Sequence, residues 1–218
     1  MSKNPSKSAT EPRKQPCQAR SRHAVAAIVE ACRQILRTDG YSAASTRRIA
    51  ERAGVSIGSL YQYFPSKEAV VVAVAEQAWR EMSEISKHAV LCTHGLSPDE
   101  TIRQVTSELA AFVRADRKLF SVLLTDTPST VQRAPAVQQA IDDFLAGSDM
   151  LAEASFGQAM LERTMVDRWV QSHMILGGIT AIALADEDRF DMAEVGDKFS
   201  RMCARLSTKR GERAARLM

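Results

Sequence analysis

The side chains that offer chemistry cluster between Thr46 and Lys67. Ser56, Ser59, Tyr61, Gln62 and Tyr63 carry hydroxyl or amide groups, with Ile57 and Gly58 among them. Leu60 and Phe64 are four apart, so on a helix they share one side and turn the others outward. That outward face has few charges for a solvated surface. Its small residues permit close backbone approach, and a glutamine amide can hydrogen-bond an adenine edge at two points. The chemistry on offer is recognition of base edges in a major groove. Bond-breaking chemistry has no comparable signal: the sequence holds no Gly-x-Ser-x-Gly, no phosphate-binding glycine loop, no His-Glu-x-x-His and no Cys-x-x-Cys.

Such a face needs elements that hold it out. A support helix is expected from Ser21 to about Thr38. Val25, Ile28, Val29, Cys32, Ile35 and Leu36 follow the i, i+3, i+4, i+7 pattern there, and Glu30, Arg33, Gln34 and Arg37 take the other side. Gly40 is placed to stop it. Ser45 caps a short second helix holding Ile49, Ala50 and Ala53, and Gly54 ends it by adopting positive φ. Ser56 caps a third helix, which stops at Pro65 because the residue before proline avoids the α region. Ser66 caps a fourth, reaching about Leu91. Its Val70–Val74 start favours a strand by propensity. The Ser66-Lys67-Glu68 start signal and the helix-forming Glu76–Arg80 stretch outweigh that. Two short helices joined by a tight Ala53-Gly54-Val55 turn behind a support helix form a helix-turn-helix pattern. Ala50 lets the two approach closely, and Val55 and Leu60 can plug the core beneath.

Charge is distributed to match. Residues 1–70 carry 12 Lys and Arg against 5 Asp and Glu, whereas residues 71–218 carry 17 against 21, so a net charge of +3 hides a basic end on an acidic body. A basic end of this kind meets a polyanion or is a solvated tail. The chain has 218 residues, 45% of them hydrophobic and only 6% aromatic, as expected of a helical globular protein. The apolar stretch Met174–Ala185 is too short to span a bilayer, and the basic start lacks the apolar core of a signal peptide. Four scattered cysteines (Cys17, Cys32, Cys92, Cys203) point to reduced thiols in a cytoplasm.

From Thr46 to Glu68 the sequence runs Thr-Arg-Arg-Ile-Ala-Glu-Arg-Ala-Gly-Val-Ser-Ile-Gly-Ser-Leu-Tyr-Gln-Tyr-Phe-Pro-Ser-Lys-Glu. This resembles the N-terminal signature of the tetracycline-repressor (TetR) family of bacterial transcription regulators, over about residues 21–75. The resemblance implies an all-α protein whose second helix meets the DNA backbone and whose third reads bases. By position it implies phosphate contacts for Thr46, Ser56, Tyr61 and Lys67. Arg47 would take a phosphate or a base, and Gly58 and Ser59 would sit against base edges. Gln62 would be the base reader, and Tyr63 would lie partly buried with its hydroxyl near phosphate. Ile57 would touch a thymine methyl or cover the hydrophobic turn. The arm with Lys14, Arg20 and Arg22 would enter a neighbouring minor groove. The implied partners are double-stranded DNA carrying an inverted repeat, a second copy of the chain, and an unidentified small-molecule effector. No cofactor, metal or membrane is implied.

The division expected is a basic arm at 1–20, a DNA-binding domain at 21–66, a helical effector and dimerisation domain at 67–208, and a basic tail at 209–218. Helices are expected from Pro98 to about Asp116, over Lys118–Thr125, Pro135–Ala154 and Gln158–Ala185, and over Met192–Leu206. Gly177 and Gly178 interrupt a helix apolar nearly all round, a reason for another helix to approach closely. With Ala181 and the stripe Val195, Phe199, Met202 and Leu206, they can form a four-helix interface between two copies, or an intrachain core. Phe112, Phe120, Met165, Trp169 and His173 are candidates for an effector pocket. Met82, Phe144, Phe156 and Met174 are of the same soft or aromatic type, which is also the type of ordinary core. Rival readings are a sequence-neutral architectural DNA binder, a metal sensor on His88, Cys92 and His94, and a thiol sensor on Cys92 or Cys17.

Overall fold

The computed structural model describes residues 19–92, 95–156, 165–185, 194–195, 197–199 and 201–202. Among them there is no strand. The helices are α1 (Ala19–Ala43), α2 (Thr46–Ala53), α3 (Ile57–Tyr63), α4 (Lys67–Cys92), α5 (Pro98–Ala115), α6 (Arg117–Ser121), α7 (Ser129–Gln132), α8 (Pro135–Phe156) and α9 (Met165–Leu184), with a π-helical turn at Val122–Asp126. Residues 194–195, 197–199 and 201–202 are helical as well. No described helix is long and apolar enough to cross a membrane.

The described residues form two compact units. The first runs through Trp79 and includes Lys118–Ile141. Ile28, Val29, Cys32, Ile35 and Leu36 of α1 are buried, as their spacing predicts, and Val25 is half-buried. Gly40 breaks α1 with φ 79°. Ser45 caps α2 by accepting from the Arg48 N–H. Gly54, at φ 68°, closes α2 in a Schellman arrangement: its own N–H donates to the Glu51 carbonyl, and the Val55 N–H donates to the Ala50 carbonyl. Ser56 caps α3, and Ser66 accepts from the Ala69 N–H at the start of α4. Val70, Val71, Val72 and Val74 are all buried in that helix. Burial on every side, rather than β-propensity, decides the local structure there.

The segment 118–141 adds Leu119, Phe120, Val122, Leu123, Val131 and Val137 to the buried residues of this unit. Its π-turn packs on α1. Compact packing therefore groups residues differently from the division at residue 66. The first turns of α4 and the 118–141 segment bury their apolar side chains with the helix-turn-helix.

The second unit runs over Arg80–Arg117 and the described residues from Asp142 onward. A capping box opens α5: Ser97 accepts from the Glu100 N–H, and the Ser97 N–H donates to the Glu100 carboxylate. The Ser97 hydroxyl also donates to that carboxylate at 2.6 Å, and this bond, with the one from the Ser97 N–H, holds the Glu100 carboxyl below its usual range. Here α5 packs against α9, and the Arg117 guanidinium donates to the Leu184 carbonyl in the last turn of α9 at 2.9 Å. The ring of Phe199 fills the space that a Cβ on Gly178 would occupy, whereas a Cβ on Gly177 would point into open space.

Candidate nucleic-acid interface

The helix-turn-helix sorts its side chains by face. Ile49, Ala50, Leu60 and Phe64 point inward and are buried. Ile57, Gly58, Tyr61 and Gln62 are exposed, and Ser59 and Tyr63 are half-buried. Ile57 and Tyr61 are 44% and 41% exposed, high for large apolar or aromatic side chains. Val55 is half-buried rather than a full plug.

Three local contacts organise the exposed side. The Thr46 and Tyr61 hydroxyls lie 3.1 Å apart, joining the first residue of α2 to the middle of α3. The Ser56 Oγ accepts from the Ser59 N–H at 3.0 Å and pairs with the Ser59 hydroxyl at 2.8 Å. Arg47 pairs with Glu51 at 2.9 Å, both strongly exposed. A pair so exposed is worth little and is easily exchanged for another anion.

Two further contacts were not legible in the sequence. The Arg48 guanidinium donates to the Asp39 carboxylate at 2.7 Å, tying α2 to the end of α1. Tyr41, just after the Gly40 break, engages the first two residues of α4. Its hydroxyl donates to the Glu68 carboxylate at 3.1 Å. Its ring lies under the Lys67 ammonium, with Nζ 3.9 Å from the centroid, and its backbone carbonyl accepts from the same Nζ at 3.5 Å. Burial and the Glu68 carboxylate push the Tyr41 phenol up to about 12, so its hydroxyl stays a donor. Beneath, burial pushes the Cys32 thiol up to about 12, which leaves it inert.

The sequence model for bacterial regulatory proteins of the tetR family matches residues 28–74, the stretch that holds these elements. Over those residues the chain carries the N-terminal domain of that family. The chain is 27% identical over 183 residues to the HTH-type transcriptional repressor KstR of Mycobacterium tuberculosis, covering 79% of this chain and 81% of the relative. It is 24% identical over 149 residues to KstR of Rhodococcus jostii, covering 66% of this chain and 68% of the relative. Its fold is that of the transcriptional regulator FadR from Bacillus subtilis, solved with stearoyl-CoA. The TM-score there is 0.64 at 17% identity, covering 82% of this chain and 97% of FadR. The chain is a DNA-binding transcriptional regulator.

Its other expected site residues are scattered. Phe120 is buried in the first unit, whereas Phe112 and His173 are half-buried in the second. Met82 and Phe144 are buried, and Met174 is 56% exposed. The side chains of Met165, Trp169 and Phe156 lie outside the described residues. Of the interface set, Gly177, Ala181 and Met202 are exposed, Gly178, Val195 and Phe199 are half-buried, and Leu206 lies outside the described residues. The sequence reading missed Val166 and Val170, which are 70% and 43% exposed on α9. With Met174, Gly177 and Ala181 they fall within an arc of about 80° on a helix turning about 100° per residue. Cys92 lies 3.8 Å from the His88 ring. Among the described residues no group of three His, Cys, Asp or Glu could hold a metal ion, and His94 lies outside them.

Proposed function

We propose that this regulator is a repressor that binds an inverted-repeat operator as a homodimer and is released by a small-molecule effector. The observation that carries the reading is the exposed face of α3. Ile57, Gly58, Tyr61 and Gln62 face outward with no charge among them. A Cβ added at Gly58 would meet only the Ser56 Oγ, at 3.8 Å. Packing inside the chain therefore does not require glycine there, and a close external surface supplies the reason.

In this reading Gln62 hydrogen-bonds a base edge, Gly58 and Ser59 allow the approach, and Ile57 meets a thymine methyl. Thr46, Tyr61 and Ser56 contact phosphates, with Arg47 leaving Glu51 to join them. The Tyr63 hydroxyl lies near a phosphate, and Lys67 clamps another. Residues 21–66 form the DNA-binding domain, and residues 67–208 hold the effector and dimerise. The arm at 1–20 and the tail at 209–218 add basic charge. The apolar face of α9 with Gly177, Ala181 and Met202 meets its copy in a second chain. Two recognition helices then enter successive major grooves roughly 34 Å apart. An effector that prefers a conformer with a tilted α4 breaks that spacing, only as far as its differential affinity allows. The FadR structure makes stearoyl-CoA the first effector to assay. The place of action is the cytoplasm.

The test is selection of duplexes from a random pool with the full chain, followed by binding of the winner and of random duplex across salt. A specific regulator recovers an inverted repeat and keeps a large affinity ratio as salt rises. Equal binding to both at every salt concentration would make the protein an architectural binder instead.

A further inference from the structure

The contact between Tyr41 and the start of α4 has no part in the DNA-facing chemistry described so far. Tyr41 lies 26 positions before Lys67 and grips two consecutive residues there by three different means. Its hydroxyl donates to Glu68, its ring faces the Lys67 ammonium, and its carbonyl accepts from that ammonium. A lysine side chain is a flexible four-carbon stem that carries a strongly hydrated charge, so an unguided ammonium samples many positions. An ammonium over an aromatic face is drawn to the ring quadrupole without consuming its donors. With one N–H given to the Tyr41 carbonyl, two remain for an anion.

Glu68 adds a second requirement. Its carboxylate, next in sequence to Lys67, would compete for the ammonium. The Tyr41 hydroxyl engages that carboxylate at 3.1 Å, while the ring and carbonyl engage the lysine. One residue thus separates two opposite charges that would otherwise pair.

We infer that Tyr41 is a positioning residue for DNA binding: it holds the Lys67 ammonium apart from Glu68 at the first turn of α4, aimed at a phosphate. The inference rests on the reading of Lys67 as a phosphate contact.

The test compares the full-length chain with Tyr41→Phe, Tyr41→Met, Lys67→Met and the double variant Tyr41→Met with Lys67→Met. The probe is the duplex recovered by selection, titrated over a range of salt. Lys67→Met flattens the slope of log affinity against log salt by about one unit, the loss of one phosphate contact. Tyr41→Met flattens it by nearly the same amount, and the double variant is no flatter than Lys67→Met alone. Tyr41→Phe, which keeps the ring but loses the hydroxyl that engages Glu68, gives a slope between those of wild type and Tyr41→Met. A role in stability alone would lower affinity without moving the slope.

Proton NMR of the wild-type chain supplies a readout independent of whether Tyr41→Met folds. The Lys67 Cε protons resonate upfield of those of exposed lysines because of the ring current, and they move when duplex is added. A wild-type slope in Tyr41→Met, additive slopes in the double variant, or unshifted Lys67 protons would each overturn the inference. A wild-type slope in Lys67→Met would overturn it together with the phosphate assignment. Recovery of no duplex by the wild-type chain would instead bring down the proposed function and, with it, this inference.

Discussion

The helix-turn-helix and helix α9 use apolar residues in opposite senses. In the first, Ile49, Leu60 and Phe64 on the inner face are buried, with Val55 half-buried beneath the turn, and the outer face of α3 is polar apart from Ile57. In α9, Val166, Val170 and Met174 stand outward at four-residue intervals, and Gly177 and Ala181 continue the same face. A closed core stabilises a single chain. An uncovered apolar stripe stabilises nothing until a second surface arrives. The largest contrast in response to mutation should therefore separate these regions. Leu60→Ala removes a side chain that is fully buried beneath the recognition helix. A loss of about 2–5 kcal/mol in urea unfolding is expected from the lost transfer energy and the cavity. A loss under about 0.5 kcal/mol would mean that α3 is held by something other than its inner face.

Met174→Glu sharpens the same comparison from the other side. The residue is already mostly in water, so the unfolding free energy of an isolated chain should move by less than about 0.5 kcal/mol. In the proposed dimer, however, two carboxylates enter an apolar contact without partners, at a cost of several kcal/mol. Sedimentation should therefore show a dimer for the wild-type chain and a monomer for Met174→Glu at the same concentration. A monomeric wild-type chain at high concentration would leave the α9 face without its proposed occupant. The Gly178–Phe199 contact qualifies the expectation drawn from the glycine pair. Gly178 receives a ring from its own chain, whereas a Cβ on Gly177 would meet open space. One glycine of the pair has an intrachain reason, and only the other lies open to a partner.

The sequence was most informative where a structural signal is local. Caps at Ser45, Ser56 and Ser66 act within three residues, and each opens its helix as expected. The Val70–Val74 run required a judgement between propensity and start signal, and burial resolves it in favour of helix. Pro128 opens α7, its carbonyl accepting from the Val131 N–H. The preceding π-turn, closed by the Thr127 N–H on the Val122 carbonyl, has no local sequence mark. Tyr41 with Lys67, and Arg48 with Asp39, depend on approaches that only the folded chain specifies. Candidate effector residues were the hardest to single out, for a different reason. Soft apolar side chains have the same helical spacing whether they are core, as Met82 and Phe144 are, or surface, as Met174 is.

Three glycines, one in each role, give the finest test of that contrast. Gly54 is required by its own backbone, at φ 68°. Gly178 is required by Phe199. Gly58 sits in α3 with ordinary helical backbone and with room for a methyl group, 3.8 Å from the Ser56 Oγ. Glycine in a helix costs about 1 kcal/mol relative to alanine. Gly58→Ala should therefore raise the unfolding free energy by about 0.5–1 kcal/mol while weakening binding to the selected duplex, because the added methyl occupies the gap between α3 and the groove. Gly54→Ala, by contrast, should destabilise the fold, because alanine is strained at positive φ. A Gly58→Ala chain that is both more stable and fully competent to bind would show that α3 does not approach DNA at this residue, and Gln62 would have to read from a different face. A less stable Gly58→Ala chain would point to an internal need for the glycine, and the case for an external surface at Gly58 would fail with it.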